Sequence, residues 1–158
     1  MMLIRDLEVQ RIIDSQFLPA DEELQLWLEA ALIDYSYDAE VLIRIVDSQE
    51  ITSLNKQYRH KTGSTNILSF PLEMIEGVPG LYLLGDLVIC AEVLEREARE
   101  QKKTLNEHWA HIVIHGILHL IGFDHINEKD ATEMEAKEIN VLHQLQIDNP
   151  YQEKEVNG

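Results

Sequence analysis

The stretch HGILHLIGFDH, residues 115–125, constrains the fold more than any other part of the chain. Its three histidines stand at i, i+4 and i+10. Adjacent helical turns set His115 and His119 about 6 Å apart along the axis, a span two imidazoles can close around one metal ion. His108 and His111 lie on the same stripe, but His111 is about 12 Å from His119, too far for those two to converge on one ion without stretching. The third ligand therefore has to come from beyond the helix. Gly122 supplies the means, because glycine adopts the left-handed conformation that closes helices. His125 follows three residues later. The expectation is a metal site built on a helix and the turn after it, with His115, His119 and His125 as ligands. His108, His111 and His143 are read as structural, hydrogen-bonded or solvated.

Three neutral nitrogen ligands leave a divalent ion with an open position for water, and a zinc ion there lowers the pKa of that water from about 15.7 toward about 7. Zinc is the expected ion; nickel also fits by affinity order. A structural site would need a fourth ligand, and Cys90 and His143 are distant candidates without motif spacing. A catalytic site is favoured. In zinc peptidases with this spacing a glutamate follows the first histidine and shuttles the proton. Here that position is Gly116. Glycine removes the base and lowers helix propensity by about 1 kcal/mol against alanine, and it also lets another element pack closely. Asp124 could replace the acid or, as preferred, orient a histidine from behind.

The rest of the chain reads as one α+β domain over residues 1–158, a small mixed sheet packed with helices, with a frayed tail from about residue 148. Residues 20–35 carry Leu24, Trp27, Leu28, Ala31 and Leu32 at helical spacing. Residues 40–46, 65–72 and 81–91 read as strands, the last two around a loop holding Gly77, Pro79 and Gly80. Asp47 with Glu50 opens a helix to about Arg59, and residues 91–103 form another. Thr104 with Glu107 caps the histidine helix, and Asn127 with Asp130 opens a last one to about Leu145. Strand order is not readable. No apolar run reaches signal-peptide or transmembrane length, so the cytoplasm and the absence of a membrane partner are expected. Cys90 is a lone cysteine after an apolar run and reads as a buried, inert thiol.

A net charge of −16 argues against phosphate binding, but the charge is unevenly spread. Residues 20–40 hold seven acids and no lysine or arginine, whereas residues 51–72 hold Lys56, Arg59 and Lys61 and no acid. Three basic residues near a helix end can simply be solvated. They can also serve a metal centre that lacks a carboxylate base. Such a centre suits a substrate that brings its own negative charge, and a phosphodiester does, with Arg59 balancing charge in the transition state.

Two segments, HGILHLIGFDH and LNKQYRHKTGSTNILSFP (54–71), together resemble the signatures of the YbeY-type bacterial rRNA maturation factors, which are metal-dependent endoribonucleases. LGDLVIC (84–90) stands where that family has a similar Gly-Asp strand. The resemblance implies zinc on His115, His119 and His125, with Arg59 as the essential basic residue in a cleft facing the metal. It implies single-stranded RNA as substrate rather than DNA, guided by Lys56, Arg59 and Lys61, and roles in small-subunit rRNA 3′-end maturation and ribosome quality control. Ribosomes and small-subunit ribosomal proteins would be the partners. Asn66 and Cys90 stand where many members have Asp and Ser. The nucleophile stays open between metal-activated water and the ribose 2′-OH. Two other readings compete: a zinc hydrolase of peptides or amides, indifferent to Arg59, and a non-catalytic ribosome-assembly factor whose metal only braces the fold.

Overall fold

Two parallel strands at the centre of one sheet carry the most apolar sequence in the chain, and the helices are arranged around them. A computed structural model describes residues 3–13, 15, 17–71, 83–124 and 126–151. The elements follow in the order β1 (Arg5–Arg11), α1 (Asp21–Ala31), β2 (Ala39–Val46), α2 (Ser48–Arg59), β3 (Ile67–Pro71), β4 (Leu83–Cys90), α3 (Ala91–Glu100), α4 (Leu105–Leu120) and α5 (Glu128–Gln144). The sheet order is β1-β2-β4-β3, with β1, β2 and β4 parallel and β3 antiparallel to β4. This is the expected α+β domain with a mixed sheet.

Alternation along the strands divides the core. Val41, Ile43, Ile45, Leu87 and Ile89 face the layer of α1 and α4. Val46, Leu68, Val88 and Cys90 face the opposite way, where Ile51 and Leu54 of α2 cover them. Cys90 is fully buried, as its sequence setting requires, and burial raises its thiol pKa. α4 is the central helix: Trp109, Val113, Ile114, Ile117 and Leu118 are all essentially inaccessible.

The capping residues read from sequence all act. Asp47 accepts from the Glu50 amide at 2.8 Å, Thr104 from Glu107 at 3.1 Å and Asn127 from Asp130 at 2.9 Å. Two elements differ from expectation. The first helix stops at Ala31 rather than running to residue 35, because the Arg5 guanidinium takes the carbonyls of Leu32 at 3.3 Å and Tyr35 at 2.7 Å and turns the chain toward β2. β1, which sequence reading passed over, supplies that arginine and forms one edge of the sheet. The frayed tail expected from about residue 148 begins with docked residues: Lys103 donates to the Pro150 carbonyl at 3.0 Å, and Tyr151 reaches the motif helix. Residues 152–158 lie outside the described part.

Candidate active site

α4 ends as its sequence dictates. Gly122 has φ +107°, its amide donates to the His119 carbonyl at 3.2 Å, and the Phe123 amide donates to Leu118 at 3.1 Å. These two bonds make a Schellman stop, and they reverse the chain directly after the second motif histidine. His115 and His119 occupy successive turns with ring centroids 5.9 Å apart and planes at 82°. Their side chains are 25% and 29% exposed, whereas every other residue of α4 from His108 onward is buried. His125, the third ligand expected from sequence, lies outside the described residues.

Gly116 sits on the other side of α4. A Cβ there would fall 2.6 Å from Ile67 Cδ1 and 2.9 Å from Leu87 Cδ2. The position where peptidases carry glutamate therefore points into the apolar sheet, and glycine lets α4 lie close against β3 and β4. Gly85 makes the matching approach from β4. With φ +147° it would place a Cβ 2.3 Å from the Phe70 carbonyl oxygen and 3.0 Å from Leu120, so no side chain fits.

The stripe of histidines is wired to three carboxylates. His108 is buried and its Nε2 lies 3.0 Å from Glu97, which also accepts from Asn66 at 3.2 Å. Burial pushes the Glu97 pKa up, but the bonds from His108 and Asn66 outweigh it and hold the carboxyl below its ordinary range. An aspartate at position 66 would set a second carboxylate against Glu97, so the asparagine is locally consistent. At the other end, His119 Nε2 is 3.9 Å from Asp124 Oδ1, too long for a hydrogen bond but close enough for attraction. Asp124 thus approaches the Nε2 side of the ring.

Between them lies a residue that sequence reading missed. Glu138 of α5 is completely buried, and its Oε1 takes His115 Nδ1 while its Oε2 takes the Tyr151 hydroxyl. His111 Nε2 lies 3.3 Å from the same hydroxyl and 3.6 Å from Oε2. Burial drives the Glu138 pKa up, yet the bonds from His111, His115 and Tyr151 prevail and bring it down to about 2. Burial lowers the pKa of His111 despite the nearby Glu138 charge, while burial and the bond to Glu138 raise the Tyr151 phenol above its ordinary range. The signal was available: Glu138 falls on the stripe Met134, Glu138, Val141, Leu142 that α5 buries. A carboxylate on an apolar stripe needs a partner.

The basic residues are placed elsewhere. Lys56 and Arg59 end α2 and Lys61 follows, all exposed, on the face of the sheet opposite α4. His60 closes α2 in the left-handed conformation, and Asn55 holds the following loop by donating to Gly63 at 3.1 Å. Tyr58 packs edge-on against Phe70 of β3 at 5.3 Å. Among the described residues, the edge strand β3 lies between the end of α2 and the helix that carries His115 and His119. A substrate lying over this edge would meet both. A pocket at the turn after α4 is lined by Ile121, Gly122 and Phe123 and by the carboxylates Asp124, Asp130 and Glu133.

Among the described residues no group of three His, Cys, Asp or Glu is gathered as a ligand set; His115 and His119, one turn apart and partly exposed, with Glu138 behind His115, are the two side chains that would hold an ion there. With Nδ1 of His115 committed to Glu138, Nε2 is the atom that would bind it.

The family model described as Endoribonuclease YbeY matches residues 11–146. A protein named Endoribonuclease YbeY from Colwellia psychrerythraea is 54% identical over 141 residues, covering 87% of this chain and 90% of its own. Another of that name from Methylococcus capsulatus is 55% identical over 148 residues, covering 94% and 96%. The solution structure of TM1509 from Thermotoga maritima superposes with a TM-score of 0.58 at 26% identity, covering 95% of this chain and 98% of that one. By sequence over nearly its whole length, the chain belongs to the Endoribonuclease YbeY family.

Proposed function

We propose that this chain is a metal-dependent endoribonuclease that cuts single-stranded RNA in the maturation of the small-subunit rRNA 3′ end and in ribosome quality control. The observation that carries the metal part is the pair His115 and His119, solvent-facing on adjacent turns, with Glu138 behind the first. His125 completes the ligand set in this reading, and zinc is the expected ion. Bound there, the ion would supply Lewis acidity toward a phosphoryl oxygen and acidify a water.

The chain's own residues do the rest. Arg59, at the end of α2, balances the charge that builds on the phosphate, and Lys56 and Lys61 hold the flanking backbone against the β3 edge. Asp124 lies 3.9 Å from Nε2 of His119, close enough to attract the ring but not to fix it by a hydrogen bond at that atom. The acidic pocket beyond α4 and the net charge of −16 keep non-specific RNA affinity weak. Recruitment by ribosomes and small-subunit ribosomal proteins fits that balance. Peptide hydrolysis is disfavoured, since position 116 addresses the sheet and not the metal face.

The test is cleavage of a single-stranded RNA by zinc-loaded protein beside Arg59→Ala, the two purified alike and matched for metal content. Loss of cleavage in the variant supports the joint site. Equal cleavage by both would refute the role of Arg59. A 2′,3′-cyclic phosphate on the product and no cleavage of DNA would identify the ribose 2′-OH as nucleophile.

A further inference from the structure

Glu138 is an expensive residue for α5 to carry. It replaces an apolar side chain in the core, and removing a carboxylate from water costs several kcal/mol unless its oxygens are fully bonded. Both are bonded, and the donors can be assigned. An ionised carboxylate only accepts, so His115 must present Nδ1–H to Oε1, and the Tyr151 hydroxyl must give its hydrogen to Oε2. The tyrosine oxygen then accepts from His111 Nε2–H at 3.3 Å. One proton sits in each link, and the chain of bonds fixes the tautomer of His115: Nδ1 protonated, Nε2 bearing the lone pair.

From this arrangement we infer that Glu138 is the positioning residue of the metal centre, and that Tyr151, from the C-terminal segment, is the latch that holds Glu138 against His115. The inference rests on the metal reading of His115 above. It assigns to the C-terminal segment a part in metal affinity, because Tyr151 closes over α4 and α5 at a point where Lys103 also anchors Pro150 at 3.0 Å. Without the hydroxyl, Oε2 loses its one strong donor and the carboxylate is free to swing from Nδ1. The ring then populates the Nε2–H tautomer, which has no lone pair toward the metal, and also rotates more freely.

The experiment uses the full chain, stripped of metal and compared as wild type, Glu138→Gln, Tyr151→Phe and His115→Ala. Imidazole 15N–1H correlation spectra of the metal-free protein report the His115 tautomer. Competition with a chromophoric chelator reports zinc affinity, and thermal melts report folding. Wild type is expected to show the Nδ1–H tautomer. Zinc affinity should fall about 10–100-fold in Glu138→Gln and about 3–10-fold in Tyr151→Phe, each with a mixed His115 tautomer. His115→Ala should lose the tight site. If His115→Ala loses zinc while the other two bind it as wild type does, Glu138 is only a core ion pair and the inference is overturned. If His115→Ala binds zinc unchanged, the metal reading itself falls, and the inference with it. Should Glu138→Gln not fold, Tyr151→Phe decides alone, since it removes one hydroxyl from a side chain already 44% exposed.

Discussion

Placing a glutamate at position 116 would restore the peptidase pattern on paper, and the structure predicts that it restores nothing. The first step is Gly116→Ala, which isolates the steric part. Alanine gains about 1 kcal/mol of helix propensity over glycine. Its Cβ would meet Ile67 Cδ1 at 2.6 Å and Leu87 Cδ2 at 2.9 Å, and overpacking of this kind costs about 1–3 kcal/mol. Both atoms are side-chain ends that can yield, so the net is a loss of about 1 kcal/mol, or about 2–4 °C in Tm for a chain of this size. Gly116→Glu adds a longer side chain and a carboxyl among apolar groups, about 1–3 kcal/mol more even when it stays protonated. The double burden is about 2–4 kcal/mol. The assay is urea and thermal unfolding of the metal-free proteins, with cleavage of an unstructured peptide by the zinc-loaded ones. A rise of 2–4 °C for alanine would mean the Cβ meets open space. Metal-dependent peptide cleavage by the glutamate variant would mean that position 116 faces the metal, and either result refutes the packing explanation.

Gly85→Ala should be harsher than any change at Gly116, because its Cβ meets backbone at 2.3 Å and its φ of +147° is itself unfavourable; a loss of about 3 kcal/mol or more, seen as a large fall in urea midpoint, is expected. Glu138 links stability to acid: with its pKa brought from an ordinary 4.5 to about 2, its contribution is complete above pH 4.5 and disappears as pH falls toward 2. The stability gap between metal-free wild type and Glu138→Gln, on the order of 3 kcal/mol at neutral pH, should therefore close across that window, and a pH-independent gap would contradict it. Chelation should abolish RNA cleavage yet leave one cooperative melt, since α4 is held by Trp109, Val113, Ile114, Ile117 and Leu118 rather than by metal. Unfolding on chelation, followed by circular dichroism, would instead favour a metal that braces the fold.

What could be read from sequence and what could not divide along a physical line. Signals confined to a few neighbouring residues were legible: the caps at Asp47, Thr104 and Asn127, the stop at Gly122, and the histidines one turn apart each depend on bonds spanning fewer than six residues. Strand β1 carries a local signal as well, since Leu7 and Val9 alternate with Asp6, Glu8 and Gln10, but an edge strand with one thinly covered face shows too few apolar residues to stand out. Where α1 ends depends on Arg5, twenty-seven residues before the Leu32 carbonyl it reaches, and no helix propensity contains that. The wiring behind His115 is the extreme case. Glu138 is 23 residues from His115, and Tyr151 is 40 from His111. Seen alone, one looks like a misplaced charge on an apolar stripe and the other like part of a polar tail. Each is an error by the rules of its own segment, and the two errors cancel only when α4, α5 and the C-terminal segment meet. Such paired local violations mark where a chain has accepted a cost in folding to fix the orientation of a functional side chain. On that reasoning the expensive carboxylate, more than the histidines themselves, is what distinguishes His115 from its structural neighbours His108 and His111. His111 touches the same carboxylate, but as a buried donor through Tyr151, with no open face for a metal.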